Sequence, residues 1–344
     1  MRNTLILSLL LISNLFAGAQ TLSSTEGKSA LVYSLPKTRF TIELEIEKIS
    51  QKPGAFYRYS ERYLATTNVI TAEKTTYRLK SVAVKAIALP DSARTFQLIP
   101  DKNSQLTHLS VDAQGILLGI NVSAPKEKNI VVNKTIFNNN PPVSNLLPLG
   151  EEYMMAGSEA KLAEGAAKQI YRIRESRLGL LTADVEKLPA DGASMKLMLD
   201  GLDKMEKQLT ELFVGSTNTD VQIQKIQFTP STALNNEVLF RLSTLRGLVA
   251  ADDLSGMPYY ITVKPQAVLQ STTDSKSKSE KAGLYYVLPA VTAITISDGI
   301  NTNFNGQFNV PQLGKLVSLP ESLFEQKQLK VRIDQHTGRL LRIE

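Results

Sequence analysis

The chain has 344 residues, of which 42% are hydrophobic and 21% charged, an ordinary globular composition with enough length for two domains. It contains no cysteine, which excludes disulfides, thiolate catalysis and cysteine-based metal sites. The formal charge of +6 is small for this length and the basic residues are interspersed with acids, so we expect no nucleic-acid binding, which needs a clustered basic face.

Residues 1–20 have the pattern of an export signal. Arg2 supplies the positive charge, Leu5 to Phe16 the apolar core, and Ala17-Gly-Ala19 the small-residue cleavage site. The apolar run is shorter than the ~20 residues of a membrane span, so we expect cleavage, with an uncleaved N-terminal anchor as the alternative. The mature protein is predicted to begin near Gln20, to have no membrane span, and to lie in the periplasm or at the cell surface.

Residues 30–122 have the pattern of an antiparallel β-module. Between Arg39 and Ile49, apolar side chains alternate with Thr and Glu, which predicts a strand with one buried and one solvated face. Residues 106–122 predict a hairpin whose turn is Asp112-Ala-Gln-Gly115, in which Asp begins the turn and Gly supplies a positive φ.

Within this module, residues 55–64 predict a short amphipathic helix after Pro53-Gly54. Arg58, Tyr59 and Arg62 lie on it and could form an aromatic-arginine patch for a sugar or an anionic ligand. The alternative, which we favour, is a helix that plugs one end of a β-structure with its tyrosine hydroxyls at the rim.

Residues 123–150 are rich in Asn and Pro and are predicted to be a linker, whereas residues 151–215 are predicted to form an antiparallel helical hairpin. Each arm carries a heptad-like apolar seam. The first seam consists of Ala166, Ile170, Ile173, Arg177 and Leu180, and the second of Met195, Met198, Leu202, Met205, Leu209 and Leu212. We expect the two seams to bury each other. In the alternative, a further helix or another chain completes the packing, with Met198 and Leu202 as partner contacts.

Residues 219–344 return to a strand pattern and are predicted to form a second β-module related to the first. Gly283-Leu-Tyr-Tyr-Val-Leu-Pro289 echoes Ala30-Leu-Val-Tyr-Ser-Leu-Pro36, and the turn at Asp334 to Gly338 echoes the turn at Asp112. In each motif, Leu and Tyr are predicted to pack on one face and Pro to end the strand ladder. The sequence leaves open whether the two modules pack together.

Several stretches resemble an uncharacterised family of exported proteins of Bacteroides-type bacteria that is known only as a domain of unknown function. The resemblance covers almost the whole mature chain and implies no activity and no catalytic residues. The stretches that carry it are Ala30–Thr38, Pro53–Leu64, Ile173–Arg177, Leu188–Gly192, Leu212–Gly215, Asp252–Gly256 and Gln312–Pro320.

The sequence therefore predicts an α+β protein with two related antiparallel β-modules and a long helical hairpin between them. The chain has two His and no Gly-x-Ser-x-Gly, Walker-type, Gly-x-Gly-x-x-Gly or zinc-ligand pattern, so we expect no cofactor and no metal. The favoured function is a non-enzymatic binding or envelope-assembly protein with a protein partner in the cell envelope. The alternative is a glycan- or peptide-binding protein, or a hydrolase that uses carboxylates alone.

Overall fold

A computed structural model describes residues 19–21, 31–99, 108–122, 157–186, 189, 191–266, 282–326 and 329–344. Residues 1–18 of the predicted signal and the predicted linker at 123–150 lie outside the described part of the chain. The described residues are mostly β, with three sheets and three helices.

The described residues before the linker form five strands and the short helix α1, and the described residues after it form the helical hairpin and eight strands. Short 3-10 helices lie at Tyr57–Tyr59 and Glu321–Glu325. The elements are β1 (Ala19–Thr21), β2 (Leu31–Lys52), α1 (Ser60–Leu64), β3 (Lys74–Leu98), β4 (His108–Val111), β5 (Leu117–Ile120), α2 (Glu159–Thr182), α3 (Gly192–Val214), β6 (Ser216–Phe228), β7 (Leu234–Ser243), β8 (Gly247–Val249), β9 (Met257–Pro265), β10 (Ala282–Ser297), β11 (Thr302–Pro320), β12 (Val331–Ile333) and β13 (Leu340–Ile343).

The strands form three antiparallel sheets. The split sheet has the order β1-β4-β5-β12-β13, the large sheet β11-β10-β9-β7-β8, and the three-stranded sheet β3-β2-β6. The split sheet takes strands from both predicted β-modules, and β6 from the second half of the chain pairs with β2 from the first. The two β-regions therefore pack together and share sheets.

The alternation predicted for β2 is confirmed. Phe40, Ile42, Leu44 and Ile46 are buried, and the residues between them are partly exposed. Their buried side chains pack against the large sheet and form the sandwich core. The other buried members of this core are Phe240, Leu242, Tyr259, Ile261, Val263, Ile294, Ile296 and Val310.

The two copies of the Leu-x-Tyr-x-Leu-Pro motif meet in one core beneath the split sheet, the split-sheet core. Leu31, Tyr33 and Leu35 of the first copy pack in it with Leu284 and residues of β4, β5 and β12. The Tyr33 hydroxyl accepts a hydrogen bond from the backbone N–H of Tyr285 at 2.8 Å. Burial raises the pKa of this hydroxyl far above that of an exposed tyrosine, so it stays protonated at neutral pH.

The same backbone contact occurs in both copies. The N–H of Ser34 donates to the carbonyl of Gly115, and the N–H of Val287, at the equivalent position, donates to the carbonyl of Gly338, both at 2.9 Å. The echoed motif in each half thus binds the echoed turn of the same half. This repeated contact is the structural counterpart of the repeat in the sequence.

The predicted role of Asp in both turns is confirmed. An Asp112 carboxylate oxygen accepts from the N–H of Ile116 at 2.8 Å, and an Asp334 carboxylate oxygen accepts from the N–H of Thr337 at 2.7 Å. The Gln335 side-chain amide donates to the other Asp112 oxygen at 3.0 Å, which joins the two turns.

The prediction that Pro ends the strand ladder is wrong, because β2 continues past Pro36 to Lys52. The register shifts just before the proline, where Leu35 lies opposite residues 91–94, and Pro36 itself pairs with Pro90. In β10 the bulge lies one position later in the motif, so that Pro289 lies opposite residues 311–314. A proline has no N–H to donate, and a bulge is a position where a strand needs none.

Two side chains from these bulges, Gln312 and Arg94, form an interlock that holds β11 against β2 and β3. Gln312 accepts from the N–H of Thr38 and donates to its carbonyl, both at 2.8 Å, as a neighbouring strand would. Thr38 is 3% exposed, so water cannot replace these bonds. Arg94 adds hydrogen bonds to the carbonyls of Pro311 and Gln312 at 3.0 and 3.1 Å. This interlock fixes β2 against β11 where both strands pass from one core to the other.

We expect Gln312→Ala to lower the free energy of unfolding by about 1–3 kcal/mol, because it leaves two buried backbone groups of Thr38 unpaired. Urea denaturation of the purified protein measures this change. Gln307→Ala on the same strand is the matched control, since Gln307 is exposed, and should change stability by less than about 0.5 kcal/mol. Equal effects of the two substitutions would contradict the interlock.

Candidate functional site

The helical hairpin is confirmed and its arms are antiparallel. Arg174 pairs with Glu206 at 2.6 Å and Arg177 with Asp203 at 2.7 Å, so a step forward along α2 is a step backward along α3. Ser158 caps the start of α2 and Asp191 that of α3. Hydrogen bonds from Ser194 lower the pKa of the Asp191 carboxyl, which keeps the cap charged.

The shared core of the two arms lies in the half of the hairpin nearest the β-structure, although Leu180 of the first seam is also buried. The α2 seam is confirmed, with Ala166, Ile170 and Ile173 buried. On α3, Leu209 is buried, while Met198 is 48% exposed and so does not lie in the seam. The buried residues of the two arms belong to the hairpin core, whose buried members are Phe56, Ala163, Ala166, Ala167, Ile170, Ile173, Leu209 and Phe213.

The segment with α1 packs against the hairpin, and the prediction that it plugs a β-structure is wrong. Phe56 is buried with its ring centre 5.6 Å from that of Phe213, and Tyr59 and Tyr63 pack on the same core. Tyr63 also donates its hydroxyl proton to the carbonyl of Ala160 at 3.3 Å. The helical periodicity identified the apolar stripe but not the surface that it meets.

Two of the three residues predicted to bind a ligand lie at the surface of this segment. The Arg58 guanidinium lies 5.6 Å from the ring centre of Tyr57, and the Arg62 guanidinium lies 5.4 Å from that of Tyr63. Tyr59 contributes instead to the hairpin core. The structure therefore separates the predicted patch into a packing residue and two exposed cations, and ligand binding there stays a prediction.

The hairpin is held to the β-structure by close backbone contacts. Gly54 lies so near the end of α3 that a Cβ there would be 2.3 Å from the carbonyl oxygen of Leu212. The same carbonyl accepts from the N–H of Phe56 at 2.7 Å, and the carbonyl of Val214 accepts from Ile70 at 2.9 Å. The base of the hairpin is thus fixed at the point where the chain leaves β2.

A groove of about 550 Å³, the junction groove, lies where the hairpin meets the start of β6. The carboxylates of Asp203 and Glu206 in this groove are paired with Arg174 and Arg177. The hydrogen bond to Asp203 and the charge of Glu206 raise the pKa of Arg177. These four charges hold the two arms together, and such mutual pairing does not produce the poised acid or base that catalysis needs.

The far end of the hairpin is different, because it exposes large apolar side chains. We call residues 178–186 and 191–201 the hairpin tip. Leu178, Leu181 and Leu197 are 61%, 62% and 74% exposed, and Met198 is close to half exposed. The three leucines lie off the heptad positions, so the seams do not single them out, and no other pattern in the sequence marks them as exposed.

Among the described residues, no group of three or more His, Asp or Glu could hold a metal ion. The described helices also include none with the length and apolarity of a membrane span. The Asp252–Gly256 segment forms a turn, in which the Asp253 carboxylate accepts from the N–H of Ser255 at 2.9 Å and pairs with Arg246 at 3.0 Å.

Comparison with known families gives one match over most of the chain. A family model described as "Domain of unknown function (DUF4831)" matches residues 29–341. No curated protein and no solved structure matches the chain. The matched region includes the hairpin, the junction groove and all described strands except β1 and part of β13.

We expect Gly54→Ala to lower the free energy of unfolding by about 1–3 kcal/mol, because the added methyl group cannot fit against the end of α3. Hydrogen exchange should show the loss first in the hairpin. Gly201→Ala is the matched control: Gly201 lies inside α3 with open space around it, so alanine should stabilise the helix by up to about 1 kcal/mol. Unchanged hairpin protection in Gly54→Ala would contradict the close contact.

Proposed function

The chain belongs to the DUF4831 family, and we propose that it is an exported, non-enzymatic binding protein whose hairpin tip docks a protein partner of the cell envelope. Support for export comes from the signal pattern of residues 1–20. Support for docking comes from the apolar side chains of the hairpin tip.

The observation that carries the proposal is the contrast between the two ends of one hairpin. At the base, the hairpin core and the backbone contacts of Gly54 hold the arms. At the tip, Leu178, Leu181 and Leu197 are mostly exposed. Single exposed leucines are normal on protein surfaces, but three large and mostly exposed apolar side chains at one end of a hairpin favour an interaction site there. A contact surface held in place before binding loses less entropy when the partner arrives.

The charges around the hairpin tip indicate the kind of partner. Asp184, Glu186, Asp191 and Asp200 lie in the same two segments as the exposed leucines, and Lys196 is the one basic residue among the described residues of the tip. A partner with an apolar centre and a basic rim would complement this surface, because opposite charges at a rim steer the encounter.

Of the two partner-contact residues that the sequence predicts, Met198 suits a docking role. A substitution at Leu202 could not test docking separately from folding. Met198 lies in the tip with half of its side chain accessible. Leu202 packs against the hairpin core, so a charged residue there would disturb folding as well as binding. The alternative of a carboxylate-only hydrolase has no supporting geometry in the junction groove, whose Asp203 and Glu206 are paired with arginines.

We expect the double substitution Leu178→Asp, Leu197→Asp to abolish crosslinks to the partner in intact cells while circular dichroism stays unchanged. Leu254→Asp is the matched control, because Leu254 is even more exposed but lies in the turn between β8 and β9. It should keep the crosslinks. If the double variant is folded and retains the same partners, the hairpin tip is not the docking surface.

Export has its own test, because a cleaved signal changes the N-terminus. We expect N-terminal sequencing of the protein from cells to start near Gln20, and fractionation to place it outside the cytoplasm. A chain that starts at Met1 in the cytoplasmic fraction would contradict export without affecting the docking experiment.

A further inference from the structure

Strand β6 is a long edge strand. All 13 of its residues pair in register with residues 40–52 of β2, and no bulge interrupts them. Within the described part of the chain, no strand pairs with its other edge. The nine residues from Thr217 to Lys225 are all exposed. One edge of β6 therefore presents unpaired N–H and carbonyl groups over most of its length.

Natural edge strands usually carry features that prevent pairing with another chain, and β6 lacks most of them. It has no proline and no bulge, and Lys225 is its only lysine. The opposite edge of the same sheet is β3, which has both a proline, Pro90, and register shifts. Prolines, lysines and bulges are the common means of blocking edge pairing. The two edges of the sheet thus differ: β3 carries features that block pairing with another chain, and β6 lacks most of them.

The side chains of β6 divide into an apolar pair on one face and polar residues on the other. Val221 and Ile223 are 41% and 42% exposed, and they lie beside Glu47 and Glu45 on the outer face of the sheet. Glu47 pairs with Arg78 at 2.6 Å, so its charge next to Val221 is balanced. The opposite face carries Asp220, Gln222 and Gln224, all exposed.

We propose that β6 pairs antiparallel with β6 of a second copy of this chain, about a two-fold axis at Gln222. A two-fold axis perpendicular to the sheet keeps the outer and inner faces of the two copies continuous. Two residues that lie opposite each other across this axis have numbers that sum to twice the number of the central residue. With Gln222 at the centre, Val221 lies opposite Ile223 of the second copy on the outer face. Val221 and Ile223 of one copy are then covered by Ile223 and Val221 of the other.

The same register is favourable for the remaining side chains. Asp220 lies opposite Gln224 of the second copy, and Gln222 lies opposite its own equivalent, so amides and a carboxylate can hydrogen bond. Lys225 lies opposite Thr219, so no like charges meet. A shift of the axis to Ile223 would instead place Val221 opposite Lys225 and leave one apolar pair, Ile223 with its own equivalent, in place of two. Cross-strand pairs of this kind are what fixes the register of a sheet.

The paired strands would join two three-stranded sheets into one sheet of six strands across the dimer. Because β6 begins directly after α3, the two hairpins would leave this sheet at opposite ends. The hairpin tips would stay accessible. The dimer interface is therefore separate from the docking surface proposed above, and each can fail without the other.

A single introduced cysteine tests the register, because the natural chain has none. In the proposed dimer, Gln222→Cys places two thiols opposite each other at a separation that a disulfide can bridge. We expect rapid disulfide-linked dimers under mild oxidation of the full mature chain. Thr217→Cys is the control, because its equivalent in the second copy would be ~30 Å away, and it should stay monomeric. Equal crosslinking of the two variants would overturn the proposal.

Light scattering during gel filtration tests the interface without a crosslink. We expect the natural chain to be a dimer and the Val221→Lys, Ile223→Lys variant to be a folded monomer. Ile87→Lys on β3 is the matched control, since Ile87 is 48% exposed near the opposite edge, and it should remain dimeric. A monomeric natural chain at every concentration overturns the proposal, and so does a dimer that persists in the folded double variant.

Discussion

The contact between Gln312 and Thr38 determines how the β-structure is assembled. Each of β2 and β10 must pass from the split-sheet core to the sandwich core, and each does so at a proline where the ladder opens into a bulge. An opened ladder leaves buried backbone groups without partners, which is costly. Thr38 lies just beyond the end of the β2–β6 ladder, and the Gln312 amide supplies a donor and an acceptor to its backbone there. The Gln312 side chain therefore takes the place of a neighbouring strand where the two cores join.

The local patterns of the sequence predicted local structure well. The alternation in β2, the turn roles of Asp112 and Asp334 and the α2 seam all follow from side-chain periodicity or turn chemistry within a few residues. The prediction that alternate Leu and Tyr side chains pack on one face holds for Leu31, Tyr33 and Leu35, whereas in the second copy the fully buried residues are Leu284 and Val287. These features depend on interactions within a few residues, so a short stretch of sequence is enough to predict them.

The features that the sequence did not predict depend on residues far apart in the chain. Nothing near β6 shows that it pairs with β2, and nothing near Gln312 shows that Thr38 needs its amide. The stripe on residues 55–64 was visible, but its partner was not, so the helix was assigned to the wrong surface. For the candidate site, periodicity placed Met198 in the seam. The exposed leucines of the hairpin tip become visible only when the length of the packed interface is known.

The interlock also has a consequence for the order of folding. Thr38 and Gln312 are separated by 274 positions, and β12 joins the split sheet from the last residues of the chain. Contacts between distant positions form slowly, because the intervening chain must first close a large loop. Neither β-core can be completed until the C-terminal part is present, whereas the ion pairs between α2 and α3 join residues close in the chain. We infer that the hairpin forms early and that the β-structure closes last, around a segment that is already ordered.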